Sequence, residues 1–442
     1  MHTLYLLRDR RAHGFGGSLM IDRRTPGVTT FQQFNDTSKW STFDAGANGV
    51  GSAADGFYGG VFDGRFVYFV PNLNFTSGEV LRYDTQSAFT STGSWSAYNP
   101  GANGVGTNAK GFSGGVFDGR YVYFVPNRAG SVYHGEVLRL DTQATFNSPS
   151  AWSTFDLAAG GVGTTPTGFI GGVFDGRYVY LVPSLHPAPH GEVVRYDTQA
   201  AFNSSGSWSS FDAGANGVGS NPDGFVGGVF DGRHIYFVPF VNGAGQSAEV
   251  LRYDTQGVFA DTASWSAFGA AANDVGVDPK AFVGGVYDGR HVYFVPFGNG
   301  TTVPSEVLRY DTHAPFDASS SWANYDPGTA GVGTNTRGFW GGVFDGRHVY
   351  FIPFFNSSGF HGEVVRLDTR ASFRSPASWS AFDPGANGVG TAPDGFVGGI
   401  FDGQYIYFVP FIRPGGFHGE VLRFDTKSPA NVPDTVFGGS FL

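Results

Sequence analysis

One tryptophan returns seven times, at Trp40, Trp95, Trp152, Trp208, Trp265, Trp322 and Trp379, at intervals of 55, 57, 56, 57, 57 and 57 residues. Two further segments keep the same period. Phe62-Asp63-Gly64-Arg65 has copies starting at residues 117, 174, 230, 287, 344 and 401, and only Tyr287 and Gln404 depart from it. Glu79-Val80-Leu81-Arg82-Tyr83-Asp84-Thr85 likewise has seven versions. A fixed period of this length marks an array of equivalent structural units. At 442 residues the chain could hold about three ordinary domains, but the period divides it into seven look-alike units instead.

Each unit reads as four short strands. Phe57–Phe62 is the first and carries the pair Gly59-Gly60. Asp63-Gly64 follows, a hairpin signal in which both turn positions are expected at positive φ. The second strand, Arg65–Val70, is closed by Pro71, which cannot donate to a ladder. A variable loop leads to the third strand, Glu79–Asp84. A polar stretch containing Phe89 leads to the fourth, Trp95–Tyr98, and a glycine-rich loop, Gly101–Gly106, leads to the next unit. No segment of useful length has helical periodicity.

The strands are apolar on both faces. Val67 and Phe69 point one way, and Phe66, Tyr68 and Val70 the other. A sheet buried on both faces must lie between neighbours, so seven such sheets packed about an axis form an all-β, seven-bladed β-propeller of four-stranded blades. A linear stack would need polar capping repeats, and none is present. The paired glycines suit the innermost strand, where blades crowd. The ends predict how the ring closes. Trp40–Asp44 is a fourth strand with no first three, and Phe396–Asp425 supplies three strands with no fourth. Together they complete one blade. This divides the chain into a leader (1–39), the propeller (40–426) and a tail (427–442). His13–Gly17 and Phe437–Leu442 echo the first strand without belonging to any blade.

The order Gly59-Gly60, then an apolar strand, then Tyr83-Asp84, then Trp95 resembles the kelch repeat. The resemblance covers about residues 40–426. Its departures are a longer Tyr-to-Trp gap and the replacement of Tyr83 by Leu140, Leu367 or Phe424 in three copies. Kelch-like rings include both binding modules and enzymes, so the resemblance implies a propeller and no single activity.

Composition excludes several function classes. Cysteine is absent, which removes disulfides, a thiol nucleophile and thiolate metal sites. The net charge of −10 sits largely in the repeats, since all seven glutamates occupy the same motif. With only four lysines and no basic stripe, nucleic acid is not an expected partner. No apolar run approaches the length of a membrane helix, so no membrane partner is expected. Leu4–Leu7 is too short for a signal-peptide core, and no compartment is assigned.

A charge repeated sevenfold cannot be one active site. Glu79, Arg82, Asp84 and their copies are therefore read as scaffold that satisfies itself and loop backbone between blades. Function belongs where copies differ, and three positions do. The first is Asp55, Lys110, Thr167, Asp223, Lys280, Arg337 and Asp394. The second is Tyr58, Ser113, Ile170, Val226, Val283, Trp340 and Val397. The third is Ser77, His134, His190, Ser247, Pro304, His361 and His418. All three fall at the fourth-to-first and second-to-third loops, which open on one face.

Asp55, Tyr58, Lys110, Arg337, Trp340 and Asp394 come from neighbouring units once the ring closes. An aromatic face beside oriented polar groups suits a carbohydrate or another small polar ligand. His134, His190, His361 and His418 are candidate ligands for a metal ion, although their strand position lies away from the axis. Loop capping through hydrogen bonds is the alternative. His234, His291 and His348 follow the turn and read as partly exposed strand positions. No nucleophile or metalloprotease motif is present. The leading expectation is a monomeric, lectin-like binding protein. The alternatives are an enzyme with one site at the channel mouth, and a protein-interaction platform.

Overall fold

The computed structural model describes residues 30–72, 75–297 and 306–428. They form seven four-stranded antiparallel sheets in a closed ring. Blade 1 consists of Phe57–Phe62, Phe66–Pro71, Val80–Asp84 and Trp95–Tyr98 in that order. Blades 2 to 7 begin at Phe112, Phe169, Phe225, Phe282, Phe339 and Phe396. Each first strand packs against the first strand of the next blade, and Phe396–Phe401 packs against Phe57–Phe62. The expected closure is present. Trp40–Asp44 pairs antiparallel with Glu420–Asp425, setting Trp40 opposite Phe424 and Asp44 opposite Glu420.

The two glycines of the first strand do different jobs. Gly59 has φ 81°, and the pairing register shifts between Phe57 and Gly60, so it forms a bulge that bends the strand around the channel. The second glycine answers crowding between blades. A Cβ on Gly115 would lie 2.6 Å from Val61 Cγ2 of the blade before it. The 63–64 turn is a correction to the sequence reading, because only Gly64 has positive φ, at 101°. Asp63 keeps an ordinary backbone and uses its carboxylate instead. It accepts the Arg65 and Phe66 N–H groups at 2.8 and 2.6 Å and the Tyr68 hydroxyl at 2.8 Å.

Core packing runs between blades, which is why both faces are apolar. Trp95 stacks on Phe43 of the preceding blade with centroids 5.5 Å apart, and its indole N–H donates to the Phe89 carbonyl at 2.9 Å. Trp40 makes the same bond to Phe34, so a segment before residue 40 supplies this piece of blade 7. Further out, Thr30–Phe31 pairs with Lys427–Ser428. This ribbon lies against blade 6, where Phe31 meets His348 edge-on at 5.1 Å. His348 is consequently buried rather than partly exposed, whereas His234 and His291 are half-buried. The echoes at His13–Gly17 and Phe437–Leu442 lie outside the described residues.

Candidate functional site

The repeated charges hold the loops in place. Glu79 accepts the Ser52 and Ala53 N–H groups at 2.8 and 2.6 Å, pinning the loop that enters its blade. Glu136, Glu192, Glu249, Glu306, Glu363 and Glu420 bind the corresponding loops. Asp84 pairs with the turn residue Arg65 at 2.7 Å, not with Arg82. Arg82 lies between the rings of Phe66 and of Phe146 in the next blade, 4.2 Å from each centroid, and donates to Ser96 Oγ at 3.2 Å. Thus the three charges do not satisfy one another. Each has its own structural partner, and loop backbone takes the glutamate.

The fourth-to-first and second-to-third loops meet on one face, as the Gly111 N–H bond to the Ser77 carbonyl and the Arg128 N–H bond to the Gly111 carbonyl show. In blades 2, 3, 4, 6 and 7 the second-to-third loop folds into a small hairpin, such as Ile412–Arg413 with Gly416–Phe417. The third-track residues of those blades, His134, His190, Ser247, His361 and His418, directly follow the hairpins, and Pro304 lies outside the described residues. Ser77 and Ser247 use their hydroxyls to accept the N–H of the following glutamate, each at 3.1 Å. His134 does so with Nδ1 at 3.3 Å, and its Nε2 donates to the Lys110 carbonyl at 3.0 Å. His190 and His418 reach the Thr167 and Asp394 carbonyls at 3.1 and 2.9 Å. His361 faces the Arg337 and Gly338 backbone without a closed bond.

Burial lowers all four histidines, taking His190 and His418 to about 4. They lie in four different blades. The structure does not bring them together. Among the described residues no three His, Asp or Glu side chains gather as a metal-holding group.

The second track does converge. Tyr58, Val226, Val283 and Val397 are buried inside the channel mouth, with Ile170 and Trp340 packed against them. Tyr58 and Trp340 belong to blades 1 and 6, yet their rings meet edge-on at 5.6 Å. Burial, only partly opposed by the neighbouring indole, holds the Tyr58 phenol well above its ordinary value. Trp340 also meets Phe297 and Phe354 edge-on at 4.9 and 5.1 Å. These phenylalanines reveal a fourth variable position, directly after the proline that ends each second strand. It reads Asn72, Asn127 and Ser184 in blades 1 to 3, and Phe240, Phe297, Phe354 and Phe411 in blades 4 to 7. Asn72 and Asn127 donate to the Phe112 and Phe169 carbonyls, each at 2.9 Å. At this position the ring is therefore aromatic and half-buried in four blades, and polar but fully buried in the other three.

The first track is spread around this rim. Arg337 is exposed and lines a cleft of about 210 Å³ with Thr334, Asn335, Asn356 and Ser358. Asp55 lines another cleft, of about 280 Å³, at the seam between blades 7 and 1, with Asp44, Arg413, Phe417 and His418. Lys110 is exposed, Lys280 pairs with Asp278 at 2.8 Å, and Asp394 is half-buried over His418. Burial first, then nearby carboxylates, raises Asp55, Asp223 and Asp394 above the usual carboxylate range. Of the six expected ligand residues, only Tyr58 and Trp340 touch. Asp55 and Arg337 mark separate clefts.

Fold and rim together define a seven-bladed β-propeller whose loop face surrounds a packed aromatic and aliphatic cluster. No family model and no curated protein matches this chain. Among solved structures it is similar to the extracellular domain of BT4673 from B. thetaiotaomicron, at 11% identity and a TM-score of 0.48. That alignment covers 89% of this chain and 40% of the other, so the chain spans about two fifths of that structure's length.

Proposed function

We propose that this kelch-like propeller binds a carbohydrate or a similar polar ligand on its loop face. The observation that carries this reading is the division of the mouth. Asn72, Asn127 and Ser184 occupy one arc, and Phe240, Phe297, Phe354 and Phe411 the other. A sugar has apolar C–H faces and hydroxylated edges, so it gains from an aromatic surface set against hydrogen-bonding groups. The low overall charge, 14% of residues, also favours a neutral ligand over phosphate or nucleic acid.

A glycan array probed with the purified protein tests the reading, with metal content measured on the same sample. Specific binding to a set of glycans, weakened at least about tenfold by Phe354→Ala, is the expected result. An array without any specific signal would overturn it.

A further inference from the structure

We propose that the seam cleft between blades 7 and 1 is a subsite for a single pyranose ring bearing adjacent free hydroxyls. This rests on the carbohydrate reading above and names the place where one sugar unit is held. At about 280 Å³ the cleft falls just under the roughly 300 Å³ at which small-molecule pockets begin, which suits one ring.

Two acceptors on its wall have no partner. Asp55 Oδ1 is buried and accepts nothing. His418 is 4% exposed, gives its Nε2 hydrogen to the Asp394 carbonyl, and leaves Nδ1 unpartnered. In blade 2 the equivalent nitrogen, His134 Nδ1, is taken by the Glu136 N–H, whereas His190 Nδ1 and both His361 ring nitrogens are unpartnered like His418 Nδ1 but lie outside this cleft. Unpaired buried acceptors call for a donor from outside the chain. Two of them on the wall of one small cleft can each accept an O–H, and a vicinal diol supplies two such donors. Arg413 is fixed by Glu420 at 2.7 Å and the Ala392 carbonyl at 3.0 Å, and its remaining N–H groups can serve the ring's acceptor oxygens.

The cleft is continuous with the aromatic arc. Phe417 on its wall meets Phe411 at 5.3 Å, and Phe411 meets Tyr58 at 5.7 Å. A bound chain of sugars can therefore place one unit in the cleft and run its neighbours over the mouth.

Titration calorimetry of the full chain with methyl glycosides of glucose, galactose and mannose tests the assignment. The variants are Asp55→Asn, His418→Ser, His190→Ser and Trp340→Ala. Serine is a compatible replacement, because Ser77 and Ser247 already fill this position in two blades and accept the N–H of the following glutamate there. Melting midpoints confirm that each variant is folded. The expected result is at least about tenfold weaker binding for Asp55→Asn and His418→Ser, with His190→Ser at the wild-type value. Wild-type affinity in both seam variants, with loss confined to Trp340→Ala, overturns the subsite and leaves the carbohydrate reading standing. Failure of the unaltered protein to bind any glycoside, or any glycan on the array, overturns both.

Discussion

Lys427 Nζ donates to the Asp345 carbonyl at 2.6 Å from a side chain that is 1% exposed. The bond ties the last described strand to the turn of blade 6, across the seam where the two ends of the chain meet. The Phe401 ring lies 5.0 Å from the ammonium, and the Asp345 and Asp402 carboxylates supply the opposing charge. Blade 7 is also the one copy without a turn arginine. Its Gln404 donates to Asp425 at 3.2 Å where the other blades use an arginine. An arginine there would add a second cation to a turn that already faces Lys427.

Burial lowers Lys427 from 10.5 to about 8, against the pull of the two aspartates. The group is protonated in both the folded and unfolded states below the lower value, and neutral in both above the higher. Between them the unfolded chain holds the extra proton, so this group makes stability rise with pH from about 8 to 10.5. Lys427→Met should remove that rise. Urea midpoints of both proteins across the window check it, and parallel curves would refute it.

Phe34 is 4% exposed, accepts the Trp40 indole N–H and lies 4.4 Å from the Arg366 guanidinium of blade 6. It repeats for blade 7 the role of Phe89 in blade 1. Phe34→Ala should cost about 3–5 kcal/mol, the usual range for a buried phenylalanine. Chemical denaturation measures the loss, and a change below about 1 kcal/mol would show that this segment adds little to closure.

The ring was legible because repetition makes each residue its own control. Sevenfold tryptophans and turns fixed the blade count, and the orphan strand at Trp40–Asp44 fixed the closure. The Phe240, Phe297, Phe354 and Phe411 arc rested on the same kind of signal, a variable residue after a repeated proline, and was missed. The ribbon of Thr30–Phe31 with Lys427–Ser428 gave no such signal, since neither strand has a copy elsewhere. Nor could spacing show that Arg337 and Asp55 line different clefts. The loops set that separation, and loop paths follow from hydrogen bonds such as those to the glutamates rather than from the period.

The buried histidines should be indifferent to chelators. Their Nε2 hydrogens are committed to loop carbonyls in blades 2, 3 and 7, so these rings serve as caps. Treatment with a chelator should leave both the melting midpoint and glycan binding unchanged. His134→Ser should cost roughly 0.5–1.5 kcal/mol, the net value of one hydrogen bond. A large fall in melting temperature on chelation would restore a metal role.

Glu420 binds the Thr391 N–H at 2.8 Å, the Ala392 N–H at 3.3 Å and Arg413 at 2.7 Å. Burial works to raise its carboxyl, but the two backbone donors and the guanidinium together prevail and hold it below the ordinary 4.5. The folded state therefore favours the ionised form. Its contribution is complete above pH 4.5 and is lost as the pH falls through the lowered folded value. Glu420→Gln should cost roughly 1–3 kcal/mol near neutrality, because one loop donor and Arg413 lose their charged acceptor. In sufficiently acidic solution the wild-type carboxyl is itself protonated, so the gap between the proteins should narrow. Denaturant midpoints at neutral and acid pH decide the matter, since a gap that stays constant would mean that the ionised carboxylate is not what secures the loop.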